Sequence, residues 1–237
     1  KLRIKQRFIR DYPQGKSSAH LIGFINRIND KDINFLEKEN LVNRYLGSTH
    51  IGKSGIEKFY ENLIHGSPGF KEIEVDAKQN VIRTLQEKKP IPGKAINLTI
   101  DYRLQKIAEK AFGEKKGALV AIDPKNSEVL AYVSQPTFNP ALFTNGISHA
   151  AWANLNDKNS RAMLDRTVAG VYPPGSTLKP FVALAALTND IRKPPFSIFD
   201  IGYFTMPRSS KVFRDWKRGG HGTVDIIKAI AVSSDTF

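Results

Sequence analysis

The stretch Y-P-P-G-S-T-L-K-P-F-V-A-L-A-A-L, residues 172–187, decides how the second half of the chain is read. Pro173, Pro174 and Gly175 break any preceding regular structure, and F-V-A-L-A-A-L is helical in composition, so a helix is expected to open near Ser176. Residues three apart on a helix share a face, which sets Lys179 over Ser176 with its amine in reach of the hydroxyl. Pro180 lacks the N–H that would bond the Ser176 carbonyl, a small cost in a first turn. Phe181, Val182, Leu184, Ala185 and Leu187 make the rest apolar nearly all round, the pattern of a buried helix. Burial disfavours a charged ammonium, and a neutral lysine against a serine hydroxyl is a base beside a nucleophile.

S-x-x-K by itself is a weak signal. About one chance match is expected in a chain of this size, and the chain holds one. A capping serine with a solvated lysine explains the bare pattern more simply. The Pro-Pro-Gly entry and the apolar run behind it favour chemistry, and the rest of the chain has to decide.

Composition narrows the field. At 237 residues the chain is long enough for one large or two ordinary domains, and its 41% hydrophobic and 25% charged content is that of a globular protein. No apolar run approaches a membrane span. The absence of cysteine excludes disulfides, thiol catalysis and cysteine metal ligands. A formal charge of +13 favours anionic partners: nucleic acid, an anionic membrane surface or an acidic polymer. The lysines and arginines are spread along the chain with no nucleic-acid reader motif beside the aromatics, so nucleic acid is not the expected partner.

The chain reads as two regions, 1–92 and 93–237. The first is charged and opens with K-L-R-I-K-Q-R-F-I-R, a strand pattern with one wet face. G-I-E-K-F-Y-E-N-L-I-H-G (55–66) keeps helical spacing, and K-E-I-E-V-D and V-I-R-T-L-Q form two strands around a turn at residues 78–80. E-K-K-P-I-P-G-K (87–94) reads as a linker. In the second region A-I-N-L-T-I (95–100) reads as a strand, followed by a helix capped by Asp101, with Leu104, Ile107, Ala108 and Ala111 inward and Gly113 at its end. G-A-L-V-A-I-D and E-V-L-A-Y-V-S, joined by P-K-N-S, read as a hairpin. Helices on an antiparallel sheet make an α+β domain.

The blocks T-H-I-G-K-S-G-I-E-K-F-Y-E, G-A-L-V-A-I-D-P, A-G-V-Y-P-P-G-S-T-L-K-P and A-V-S-S-D-T-F, in that order, resemble the penicillin-binding protein 2 family. These are class B, monofunctional peptidoglycan D,D-transpeptidases of bacterial elongation. The resemblance implies part of a pedestal, or dimerisation-type, domain over 1–92 and the N-terminal part of a transpeptidase fold over 93–237. It also implies that the cytoplasmic tail, membrane span and first pedestal segments are missing, and that this part lies on the periplasmic side of the inner membrane. The implied ligands are peptidoglycan stem peptides and β-lactam antibiotics. The implied partners are a SEDS-family glycan polymerase and a rod-shape scaffold protein.

By the same resemblance Ser176 is the acylated nucleophile and Lys179 its general base. Ser233, Ser234 and Asp235 match the S-x-N motif with Asp in its last place: Ser233 relays a proton towards the leaving group, and Asp235 orders Lys179 or the substrate amide. Alone, S-S-D reads as a helix cap or turn. The third motif, K-T-G or K-S-G on a strand, is expected beyond Phe237. The K-S-G at Lys53–Gly55 precedes the nucleophile and has the wrong order, so the chain as it stands is not expected to be a complete catalyst. Asp200, Asp215 and His221 match positions that bind zinc in some members together with a cysteine, whose place here is Ser234. Two carboxylates, an imidazole and a water suit zinc. Surface-loop chemistry is the competing explanation for R-D-W-K-R-G-G-H-G. No organic cofactor is expected. A β-lactamase shares S-x-x-K but not the pedestal block. A non-catalytic scaffold module of the wall machinery is the other alternative.

Overall fold

The computed structural model describes residues 9–237, so the strand expected over 1–10 lies largely outside the described residues. Among the described residues the architecture is mixed: helices, and strands paired as five two-stranded antiparallel sheets. Contacts divide into two compact units, the first ending at Val171 and the second running from Tyr172 to Phe237. This division falls elsewhere than residue 92 because the pedestal-like segment is knitted to residues 93–171 within the first unit. Ser17 Oγ and the Ser18 N–H donate to Glu109 at 2.9 and 3.1 Å. His20 Nε2 bonds the Ala162 carbonyl at 2.9 Å, and His50 Nε2 the Thr144 carbonyl at 2.9 Å. A cluster of Ala19, Phe24, Phe138 and Phe143 backs these bonds, with Phe24 stacked on Phe143 at 3.9 Å. Such aromatic pairs add about 0.5–1.5 kcal/mol beyond the area they bury.

The hairpins form where alternation and turn residues place them. Phe70–Val75 pairs with Val81–Lys88, and Gly117–Ile122 with Val129–Gln135. The latter turns on Ser127 at φ 63°, whose N–H donates to the Asp123 carbonyl at 2.8 Å. Behind it lies the helix Tyr102–Phe112, whose cap Asp101 accepts from the N–H groups of Arg103 and Leu104. Ala108, Ala131 and Val133 make the shared core, with Leu104, Phe112 and Leu119 against them.

Four expectations are corrected. The run 95–100 is not a strand: Thr99 Oγ1 and the Asp101 N–H each give one bond to the strand Val129–Gln135, too few for a ladder. On the helix Tyr102–Phe112, Ile107 and Ala111 face outward and Gln105 is fully buried. Its amide takes the place of a strand partner, accepting from the Tyr132 N–H at 2.7 Å and donating to the Tyr132 carbonyl at 2.9 Å and to Glu109 at 2.8 Å. The helix expected over 55–66 breaks at Tyr60 into Gly55–Phe59 and Glu61–Ile64, leaving Phe59 exposed. Finally, the apolar helix Lys179–Thr188 buries none of its residues, although the helix Ile226–Val232 packs on it.

Candidate active site

The site lies within the second unit. Pro174 and Gly175, at φ 55°, turn the chain into a 3₁₀ segment Gly175–Leu178 that continues as the α-helix Lys179–Thr188. With three residues per turn, positions i and i+3 eclipse, so Ser176 and Lys179 stack along one edge. The Lys179 N–H closes the turn on the Ser176 carbonyl.

The second motif enters from the end of the helix Ile226–Val232. Ser233 is left-handed (φ 56°, ψ 44°), and the Ser234 N–H reaches back to the Ala229 carbonyl at 2.9 Å. This is the bond pattern of a helix end that glycine ordinarily occupies. Ser233 Oγ lies 2.5 Å from Ser176 Oγ and 3.0 Å from Lys179 Nζ. The amine also donates to the Ser233 carbonyl at 2.6 Å and to Asp235 Oδ1 at 2.6 Å. Three oxygens thus surround the amine. The direct lysine–serine contact expected from the spacing is replaced by a path through Ser233. Lys179 is partly shielded, with 23% of its side chain exposed, although the helix behind it is not buried.

Asp200, Asp215 and His221 come together through nested hairpins. Ser197–Asp200 pairs with Gly222–Asp225, and inside it Tyr203–Thr205 pairs with Val212–Arg214. Residues 215–221 therefore bulge opposite Ile201 and Gly202. Gly220, at φ 74°, lies so close that a Cβ would stand 2.1 Å from the Asp200 carbonyl oxygen. One ligand atom from each of the three residues falls within 4.8 Å of the others. His221 Nε2 is 3.2 Å from Asp215 Oδ1, and the His221 N–H donates to Asp200 Oδ2 at 3.1 Å. Ser234 is buried with its hydroxyl 3.5 Å from Asp200 Oδ2.

Burial pushes both carboxyls up, but donors outweigh it. For Asp200 these are the Gly202 N–H, the Thr236 hydroxyl and the His221 N–H, and the net shift is downward. For Asp215 they are the N–H groups of Lys217 and Asp235 and then His221, again with a net downward shift. Two buried carboxylates beside an imidazole and a hydroxyl are a donor set that fits a divalent zinc ion. Surface-loop chemistry, the competing explanation, does not describe them, since Asp200 and Asp215 are buried.

Ser176, Lys179, Ser233, Ser234, Asp235, Asp200, Asp215 and His221 thus all lie in the second unit. Trp216 is an addition that no sequence motif marks: its indole N–H donates to the Val232 carbonyl at 3.2 Å. The K-S-G at Lys53–Gly55 belongs to the first unit, where Lys53 pairs with Asp32 and Gly55 fits closely against the Leu21 carbonyl.

Comparisons with known proteins identify the family. Residues 1–98 match the penicillin-binding protein dimerisation domain, and residues 117–237 the penicillin-binding protein transpeptidase domain. The peptidoglycan D,D-transpeptidase MrdA of Haemophilus influenzae is 44% identical over 100% of this chain, which spans 36% of that protein. The chain thus covers about a third of the length of such curated relatives. PBP2 of Pseudomonas aeruginosa, solved in complex with WCK 5153, superposes with a TM-score of 0.81 at 43% identity, over 97% of this chain and 46% of that one. PBP2 of Helicobacter pylori, solved in a complex with MreC, gives 0.82 at 33% identity over 96% of this chain and 41% of that one. With the transpeptidase match covering half the chain and these likenesses covering nearly all of it, the chain belongs to the penicillin-binding protein family, in its penicillin-binding protein 2 group.

Proposed function

We propose that this chain carries the acylating part of a serine-type peptidoglycan D,D-transpeptidase that cross-links stem peptides during cell elongation and is a target of β-lactams. The observation that carries the reading is the continuous path Ser176 Oγ–Ser233 Oγ–Lys179 Nζ, 2.5 and 3.0 Å long. Ser176 Oγ attacks the carbonyl carbon of the scissile amide. Its proton passes to Ser233 Oγ while the Ser233 proton passes to Lys179 Nζ. Collapse of the tetrahedral intermediate expels the terminal D-amino acid, whose nitrogen takes a proton back along the path, and leaves an ester on Ser176. An amine of a second stem peptide then attacks that ester carbonyl, forming the cross-link amide as the bond to Ser176 Oγ breaks, and the proton it gives up returns along the path to Ser176 Oγ. With a β-lactam the same attack opens the ring. Asp235, 2.6 Å from Nζ, holds the lysine in line.

Residues 1–92 serve as pedestal and 93–237 as the start of the catalytic domain, a division that the two family matches support. A rod-shape scaffold protein is a fitting partner of the pedestal, since the Helicobacter pylori relative was solved with MreC. A SEDS-family polymerase supplying nascent glycan fits the same role. The proposed working place is the periplasmic face of the inner membrane.

Asp200, Asp215 and His221 would hold zinc as a structural ion, with a water completing the set. Bound there, zinc supplies cross-linking between Asp200 and the hairpin bulge. Ser233 and Lys179 move the protons.

The test is to treat protein carrying the whole transpeptidase domain with a fluorescent penicillin and to map the labelled peptide by mass. Label on Ser176 is expected. Label elsewhere, or none on folded protein, overturns the reading.

A further inference from the structure

Ser233 is held in a backbone conformation that a residue with a Cβ adopts only where its surroundings impose it. Its own helix supplies part of the restraint, through the Ser234 N–H on the Ala229 carbonyl. The rest comes from outside the helix, from two neighbouring residues on the bulge at 215–221. Trp216 Nε1 donates to the carbonyl of Val232, the residue before Ser233, at 3.2 Å. Asp215 Oδ2 accepts from the N–H of Asp235, two residues after it, at 2.7 Å.

One dipeptide therefore grips the S-S-D motif at both ends. It is itself well founded: the Asp215 N–H bonds the Gly202 carbonyl at 2.9 Å, and Asp215 Oδ1 accepts from the Lys217 N–H at 2.9 Å. The indole lies against the His221 ring at 5.3 Å, while the rest of Trp216 is exposed.

We propose that Asp215 and Trp216 form a two-point clamp that positions Ser233 between Ser176 and Lys179, with Trp216 as a positioning residue for acylation. The proposal rests on the transpeptidase reading for its chemical consequence, but the clamp itself does not. Hydrogen-bond paths of 2.5 and 3.0 Å leave little room, and a misplacement near 1 Å is enough to slow a reaction about a hundredfold. Both clamp bonds are made to backbone groups, the Val232 carbonyl and the Asp235 N–H, so the expected effect of their loss is on the rate of the bond-making step.

Trp216→Phe keeps a ring against His221 and removes only the donor. In protein carrying the whole transpeptidase domain, its acylation rate constant with a fluorescent penicillin should fall about 3- to 10-fold, the value of one lost hydrogen bond. The dissociation constant of the initial complex and the melting temperature should stay as in the parent. Trp152→Phe, a change at another exposed tryptophan, should alter none of these. Amide hydrogen exchange tests the clamp without any chemistry: protection at Ser233 and Ser234 should fall in Trp216→Phe. Unchanged protection overturns the clamp even if penicillin does not react. Reduced protection with a parent that takes no label at Ser176 upholds the clamp and removes the transpeptidase reading. An unchanged acylation rate constant in a reactive protein, or equal losses in rate and affinity, overturns the positioning role.

Discussion

Replacing Ser233 by alanine removes one oxygen and very little else. The Ser233 carbonyl and Asp235 Oδ1, each 2.6 Å from Lys179 Nζ, remain to hold the amine. The nucleophile keeps its place on the 3₁₀ turn. The atom lost is the one that bonds both Ser176 Oγ and Lys179 Nζ, so the proton has no covered route from nucleophile to base. Interrupting general acid–base transfer costs on the order of 10²–10⁴-fold in rate, which at about 1.36 kcal/mol per decade is roughly 2.7–5.5 kcal/mol of barrier. Lys179→Arg should lose a similar amount despite keeping the charge, because a guanidinium does not accept the proton. In a serial path, breaking a second link adds nothing, so the double variant should be no slower than the slower single. The assay is the second-order rate constant for acylation by a fluorescent penicillin, under excess drug, for parent, both singles and the double. Ser233→Ala within a few fold of the parent refutes the relay. A double variant whose loss equals the product of the two single losses refutes the serial order, and assigns Lys179 and Ser233 separate tasks.

Two further outcomes test the fold and the metal cluster. Gln105→Leu keeps most of the volume but strands the N–H and carbonyl of Tyr132; at about 1–3 kcal/mol for each unsatisfied buried group, the loss should be roughly 2–6 kcal/mol in denaturant unfolding, and no change means the amide is not completing the sheet edge. Zinc added to metal-free protein should raise the melting temperature, by linkage worth about 2.7 kcal/mol at one hundred times the dissociation constant; His221→Ala should not respond, and a parent equally indifferent to zinc and chelator takes the metal out of the cluster.

Local signals are readable wherever the cause is local. The cap at Asp101, the glycine end at Gly113 and the turns of the 70–88 and 117–135 hairpins all form as their residues dictate. Expectation and structure part where a distant partner decides. Gln105 looks like a surface residue on its helix, and is buried because the edge of the strand Val129–Gln135 needs a donor and an acceptor at Tyr132. Ile107 has the better hydrophobic claim, yet no apolar wall stands on its side among the described residues, and it is 64% exposed. The same holds for the helix Lys179–Thr188, whose composition demands cover that the described residues do not provide. Hydrophobic content says that a face seeks a partner, but not which one.

The site divides along the same line. S-x-x-K is local, and a 3₁₀ turn is enough to stack Ser176 and Lys179. Ser233 lies 57 residues away, so its place between them depends on three long-range conditions. The hairpins around Asp200 and Asp215 have to nest, the bulge they create has to present Asp215 and Trp216 together, and the helix ending at Val232 has to accept a left-handed serine. A glycine in that last position avoids roughly 1–2 kcal/mol of backbone cost. A glycine, however, leaves no hydroxyl 2.5 Å from Ser176 Oγ. The left-handed turn itself is one that helix ends commonly use, and what serine adds over glycine there is the hydroxyl. The candidate metal cluster, the tryptophan clamp and the strained serine are therefore one construction: the bulge fixes the turn, and the turn fixes the oxygen.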